Sequence, residues 1–412
     1  MKSSVINTGK GILSKCLKSF CLVVAIVAGL CGDVWGADYT MRNNNYDWNA
    51  YGAWVNRQTI TPTATDNITV SRNRTLTINI ENAECNNFTF SAGTVIIPAG
   101  NSLSIGGTLN ISGNNTTLTV NGTIEIANIT STANPRITGS GTIIVKGGTL
   151  NCNMEGFNGT LKLENNANVA INSCRSFNIQ ADNFTATSSI PGGTYTNLTV
   201  NGHSTLCGDV TVTGTLTWNN YRISLDGYSF TLNSTANISS TTAFSNNHCF
   251  VFPNQAEMGF VTFKGNLSRF RTNPADDTEP VSIPVGNVNE AGNAYGIRMA
   301  TITGTTTSES SFSVRPTNSP ATPGDEYNLQ CHWTTESENI SNATLTFTHI
   351  NTDKGTSSDL YPYYDSGSGL VKCTGEGSGY ENMTITFTHC TPTGTWTACE
   401  DIKTYYSFKS GS

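Results

Sequence analysis

From Gly192 the chain runs Gly-Gly-Thr-Tyr-Thr-Asn-Leu-Thr-Val-Asn-Gly, and from Gly208 it runs Gly-Asp-Val-Thr-Val-Thr-Gly-Thr-Leu-Thr to Thr217. Short runs rich in Thr, Val and Leu alternate between glycines, with almost no charge and no helical spacing. Alternation with period two gives a strand with one buried face. Glycines between such runs mark places where the chain turns sharply. Strand and turn repeated over a long stretch predict strands stacked into a solenoid.

The repeat is loose but persistent from about residue 66 to 245. Gly-Thr followed by an apolar residue recurs at Gly107-Thr108-Leu109, Gly122-Thr123-Ile124, Gly141-Thr142-Ile143, Gly148-Thr149-Leu150, Gly159-Thr160-Leu161 and Gly214-Thr215-Leu216. Alternating strands such as Thr75-Leu76-Thr77-Ile78-Asn79-Ile80 and Thr117-Leu118-Thr119-Val120 lie between them. A sandwich would join these strands by tight hairpins. The irregular spacing and scarcity of Asn-Gly turns favour a parallel β-helix, with coils of about twenty residues and Asn or Thr ladders along the stack.

Composition supports order. Charged residues are 12% of the chain, against about a quarter in ordinary soluble domains. Disordered segments carry high charge and few β-branched residues, the opposite of this chain. The formal net charge is −7, and the region after the amino terminus holds no Lys/Arg cluster. Nucleic acid is therefore excluded as an expected partner, because phosphate binding needs a basic footprint.

The amino terminus has the layout of an export signal. Lys2, Lys10, Lys15 and Lys18 precede an apolar core from Leu22 to Leu30, and Val34-Trp35-Gly36 offers small residues for cleavage before Ala37. Lipidation at Cys31 is the competing route, but Leu30 stands where it wants a small residue. The apolar core is short for a membrane span, and no later segment is apolar enough to be one. The expected location is the cell surface or extracellular space, with the periplasm left open.

Around residue 250 the texture changes. Phe250-Val251-Phe252-Pro253 and Phe260-Val261-Thr262-Phe263 bring in aromatics, and prolines with charged residues follow. Asn342-Ala343-Thr344-Leu345-Thr346-Phe347-Thr348-His349 is echoed by Asn382-Met383-Thr384-Ile385-Thr386-Phe387-Thr388-His389, which suggests equivalent strands of one sandwich. The expected organisation is a signal peptide (1–36), a β-helix (37–250) and a β-sandwich module (251–412).

Several of these motifs resemble Bacteroidota secreted surface proteins. Trp48…Gly52-Ala53-Trp54, followed by Pro62…Asp66-Asn67-Ile68-Thr69-Val70, looks like the entry to their right-handed parallel β-helices. Cys85-Asn86-Asn87-Phe88-Thr89-Phe90 is similar to their middle coils. Phe252 and Ser282-Ile283-Pro284-Val285-Gly286…Tyr295 resemble the "FPVG" β-sandwich module that follows. The resemblance implies an all-β chain with an adhesin-like role, associated with type IX secretion. The chain shows no sorting domain of the kind many such proteins carry at their end.

Nine cysteines follow the signal, none in a Cys-x-x-Cys pair, and an odd number leaves at least one thiol unpaired. Cys390 with Cys399, and Cys331 with Cys373, are the expected disulfide candidates; Cys152 and Cys174 are expected to be buried free thiols. The helix region carries scattered acidic residues without the paired carboxylates that glycoside hydrolysis needs, so no catalytic residue is expected. His349 and His389 would approach each other if their strands were neighbours, but two imidazoles lack the further ligands of a metal site. No cofactor is expected: calcium suits extracellular β-proteins, yet the Gly-Gly-x-Gly-x-Asp repeat is absent. Exposed aromatics next to polar groups are the best pointers to glycans. Tyr361, Tyr363, Tyr364 and Asp365, read as an aromatic loop, form the candidate glycan site, with Trp218 beside Asn219 and Tyr221 as a second position. Glycans or other cell-surface proteins are the expected partners. The principal expectation is a non-catalytic surface or matrix protein; the alternative is a carbohydrate-binding or polysaccharide-degrading β-helix.

Overall fold

The computed structural model describes residues 36–55, 61–165, 167–175, 177–253, 259–271, 279–288, 295–317, 329–354, 360–365 and 369–399. The expected signal segment lies outside them, apart from Gly36. The described residues are nearly all-β, with a parallel β-solenoid of about nine turns and further antiparallel sheets. No helix among the described residues is long and apolar enough to cross a membrane.

The coil step follows from strand register. Asn67–Thr77 pairs in parallel with Asn87–Ile97, setting Asn67 against Asn87; Ser102 faces Thr123 one coil on. The step tightens where Ile179 faces Gly193. It lengthens near the end, where Phe230 faces Val261 and Phe250 faces Val285.

Alternation puts one buried side chain above another in each coil. A single row runs Cys85, Ile105, Ile126, Val145, Leu163, Ala181, Tyr195, Val212, Leu232 and Phe263 by direct register, and all are buried. Each large aliphatic member contributes about 1.5–3 kcal/mol by leaving water. Tyr195 fills the row opposite the small Ala181, and its hydroxyl donates to the Pro191 carbonyl (2.7 Å). At the entry, Trp48 and Trp54 meet edge to face at 5.7 Å, and Trp54 Nε1 donates to the Trp48 carbonyl. This aromatic lid closes the first coil over the aliphatic stack.

Asparagines bind successive coils outside the core. Asn67 Nδ2 donates to Asp38 (3.0 Å), Asn87 Nδ2 donates to Asn67 Oδ1 (2.8 Å), and Asn87 Oδ1 accepts the Thr108 amide (2.9 Å). Asn172 donates to Asn134 and Asn151, and Asn197 donates to Asn183. An amide suits this position because it can donate to one coil and accept from the next.

The Gly-Thr-apolar glycines have a reason beyond turning. A Cβ on Gly122 would stand 2.1 Å from the Asn101 carbonyl oxygen; on Gly141, 2.0 Å from that of Gly122; and on Gly159, 2.0 Å from that of Gly141. These glycines stack because successive coils approach more closely than any side chain allows.

The expected boundary after residue 250 falls inside the strand Phe250–Phe252. Parallel stacking continues through Val261–Lys264, which then pairs antiparallel with Ser311–Thr317, Phe263 facing Phe312. That sheet extends through His332–Glu338, Gly394–Cys399, Tyr361–Asp365 and Leu370–Lys372. A second antiparallel sheet runs Val281–Ile283, Ala300–Thr305, Ser341–Thr348, Thr384–Cys390 and Gly379–Glu381. Trp333 stacks on Phe347 (4.9 Å) and Trp396 meets Phe387 edge-on (4.8 Å) between the sheets. A second junction runs from Phe250–Phe252 in parallel to Val285–Val288 and on antiparallel to Tyr295–Ile297, so the β-helix passes into a sandwich-like module through two shared strands, Val261–Lys264 and Val285–Val288. The echoed segments are neighbours in the second sheet, as equivalent strands should be.

Cysteine pairing differs from expectation. Cys174, expected free, is bonded to Cys207, while Cys152 is buried and free. Neither expected bridge is formed: Cys331, Cys373 and Cys390 are free thiols, and Cys399 is not bonded to Cys390. The physical reason is topological. Cys390 and Cys399 end strands of opposite sheets. Cys331 precedes His332–Glu338, while Cys373 follows Leu370–Lys372, with two intervening strands of the sheet between them.

Candidate functional site

A cleft of about 800 Å³ opens across successive coils of the β-helix, lined by Glu155, Asn158, Arg175, Asp226 and Tyr228, with the Cys174–Cys207 disulfide in its wall. Its residues are positioned by irregularities in the coil. The strand Gly148–Phe157 shifts register against Arg136–Gly139 between Asn153 and Gly156, and such a shift re-aims side chains. Glu155 stands at that shift, its amide held by Asn153 Oδ1 (3.0 Å). Asp226 and Gly227 both have positive φ (49° and 89°), a tight turn that lifts the Asp226 side chain into solvent. Arg175 directly follows Cys174, which the disulfide pins.

Glu155, Arg175 and Asp226 are exposed, and Tyr228 is half-buried. The cleft therefore offers two carboxylate acceptors, a guanidinium donor and an aromatic ring to a polar ligand. In the sequence these acidic residues are scattered. Glu155 and Arg175 lie about one coil apart, which is the available signal; Asp226 falls out of register because the coil step contracts between them.

The candidate glycan residues occupy a strand rather than a loop. Tyr361–Asp365 pairs on one side with Gly394–Cys399 and on the other with Leu370–Lys372. Tyr363 is buried at 3% exposure, which withdraws its ring from any ligand. Tyr364 lies flat on Trp396 (5.3 Å). Tyr361 is exposed, with Lys372 Nζ 3.5 Å above its ring centre. Asp365 Oδ1 accepts the Gly369 amide (2.8 Å). Trp218 is fully buried and donates to the Tyr221 carbonyl (2.7 Å), so it belongs to the core.

A second cleft, of about 620 Å³, is lined by Tyr364, Cys373, His389, Cys390 and Trp396. Burial and then the nearby Cys390 push the Cys373 thiol up to about 11, and burial also raises Cys390. The two expected histidines do not meet. Their strands are adjacent but antiparallel: the His349 amide reaches the Met383 carbonyl (3.0 Å), while Cys390 faces Ala343 at the other end. His349 Nε2 instead lies 2.9 Å from the Tyr380 hydroxyl. Among the described residues no group of three or more His, Cys, Asp or Glu is arranged to hold a metal ion.

Comparison with protein-family models, with curated proteins and with solved structures finds no match to this chain.

Proposed function

We propose that the chain is an exported, non-catalytic surface or extracellular-matrix protein with an adhesin-like or structural role, of the Bacteroidota kind its tryptophan-pair and Pro284-Val285-Gly286 motifs resemble. The observation that carries this reading is the buried row from Cys85 to Phe263, which continues to Phe312 without a linker. A continuous core makes helix and sandwich one stiff element, suited to hold a binding surface away from a membrane. The Asn ladders spend polar side chains on joining coils, which serves a scaffold. Proteolysis of intact cells tests it. The protein should be shaved from the surface while periplasmic markers survive; full protection would overturn surface display.

A second reading, carbohydrate binding, is favoured by the cleft that gathers Glu155, Arg175, Asp226 and Tyr228. Carboxylates and a ring are the groups that recognise sugar hydroxyls and the flat face of a pyranose. A glycan array should show binding that Asp226→Asn and Tyr228→Ala both weaken. Polysaccharide turnover by the purified protein, abolished by Glu155→Gln, would instead replace the non-catalytic reading.

A further inference from the structure

We infer that Asp66 is the docking site for the mature amino terminus. Cleavage between Gly36 and Ala37 creates an α-ammonium group that ion-pairs with the Asp66 carboxylate and seals the first coil. This rests on the export reading above.

The geometry is already set. Ala37 N lies 2.6 Å from Asp66 Oδ1. Oδ2 accepts the Thr63 amide and hydroxyl, each at 2.8 Å. The Ala37 carbonyl accepts the Asn67 amide (2.9 Å), and Asp38–Thr40 then stacks in register on Asn67–Thr69. Among the described residues Ala37 is the first that hydrogen-bonds to the β-helix, at the position where the small-residue pattern places the cut.

Two further observations point the same way. Asp66 is only 7% exposed, and no Lys, Arg or His among the described residues forms an ion pair with it. A buried carboxylate is costly unless a cation answers it. Gly36, in turn, lies so close to the Thr65 carbonyl that a Cβ there would stand 1.3 Å from its oxygen. The path into the first coil admits only glycine at the residue that would precede the cut.

The chemistry is hydrolysis by an endopeptidase of the signal-peptidase class, with water as co-reactant. Water's hydroxyl adds to the Gly36 carbonyl carbon and the C–N bond breaks. Gly36 leaves as a carboxylate and Ala37 N gains protons to become an ammonium. An amide with one neutral N–H becomes a cation with three donors beside the same oxygen. Such charge-assisted hydrogen bonds are about twice as strong as neutral ones. Processing would thus strengthen the coil it exposes.

The test uses the protein exported from cells making the full chain. Its amino terminus is sequenced, and its α-amine is labelled at neutral pH with an acylating reagent, folded and unfolded, with mass spectrometry of the terminal peptide as readout. The chain should begin at Ala37. The folded α-amine should label about tenfold more slowly than the unfolded one, the loss of free amine that a one-unit rise in its pKa produces. Asp66→Asn should remove that protection; the folded-to-unfolded comparison on the unaltered chain stands without it. An unprocessed chain retained inside the cell overturns both export and docking. A mature end elsewhere, such as a lipid on Cys31, or an Ala37 amine labelled equally fast in both states, overturns docking and leaves export standing.

Discussion

Arg298 grips Asp353 through two parallel hydrogen bonds, Nε to Oδ2 at 2.9 Å and Nη2 to Oδ1 at 2.6 Å, with both side chains nearly out of solvent. The pair ties the start of Ala300–Thr305 to the turn after Ser341–Thr348. Asp353 also receives the Ile350 amide on Oδ2 and the Gln330 amide on its carbonyl. Removing one member strands the other charge in the interior, which typically costs about 3–5 kcal/mol. Arg298→Met and Asp353→Ala should each lower the unfolding free energy read from urea titration by that order, and the double variant should lose less than the sum. Additive losses would show that the two groups do not act as a pair.

The stacked glycines give a sharper test of the β-helix. Gly141→Ala would drive a methyl into the Gly122 carbonyl and force the coils apart, an overpacking loss of about 1–3 kcal/mol. Gly106 is the control: a Cβ there meets only the Cys85 carbonyl oxygen, at 3.8 Å. Gly106→Ala should stay within about 0.5 kcal/mol, as surface changes do. Equal midpoints for the two variants in thermal melts would remove close coil approach as the reason for the motif.

Why the sequence discloses some of this and hides the rest follows from the range of each signal. Alternation of Thr with Leu or Ile is local, so the strands, the aliphatic rows and the Asn ladders are readable from residues a few positions apart. The Trp48 and Trp54 pair is likewise local. Strand direction is not: the echo between residues 342–349 and 382–389 is the same for parallel and antiparallel neighbours, and it is the antiparallel register, with Ala343 facing Cys390 and Thr348 facing Thr384, that separates His349 from His389. The Cys174–Cys207 bridge and the cleft depend on the summed length of intervening coils. One tightened step, where Ile179 faces Gly193, moves every later residue against the regular repeat. Burial of Tyr363 is hidden for another reason. Aromatic and polar composition signals a loop, but strands on both sides give Tyr361–Asp365 its burial.

Thiol chemistry should sort the cysteines by burial. The folded chain should carry the Cys174–Cys207 disulfide, and reducing it should lower stability by about 2–4 kcal/mol, the usual effect of closing a loop of this size. In the folded protein Cys373 and Cys390, half-buried in the smaller cleft, should alkylate first. Cys85, Cys152 and Cys249, each pushed up to about 12 by burial, should react only on unfolding. Because the thiolate is the nucleophile, Cys373 labelling should accelerate steadily as pH rises toward about 11. Peptide mapping after timed alkylation reads this order directly, and early labelling of Cys152 would contradict the burial of its strand.

Buried histidines should set the acid side of stability. Burial pushes both His349 and His248 below the ordinary imidazole value of 6.5. His349 is 4% exposed, with Nδ1 placed to donate to the Ile350 carbonyl and Nε2 to accept the Tyr380 hydroxyl, an arrangement that a single ring proton satisfies. The unfolded chain takes up a second proton as pH falls through 6.5, whereas the folded chain resists until its own lower pKa. The unfolded state therefore binds more protons in that window, and stability declines as pH drops. Thermal midpoints should be flat above about pH 7.5, where unfolded imidazoles are neutral. Below pH 6.5 they should fall, by about 2–4 °C for each kcal/mol lost in a domain of this size. His349→Gln should flatten part of that slope while lowering the midpoint at neutral pH through its lost contact with Tyr380. A midpoint that holds steady from pH 7.5 to the folded-state pKa, followed by NMR of the imidazole protons, would mean that protonation of these rings costs the fold nothing.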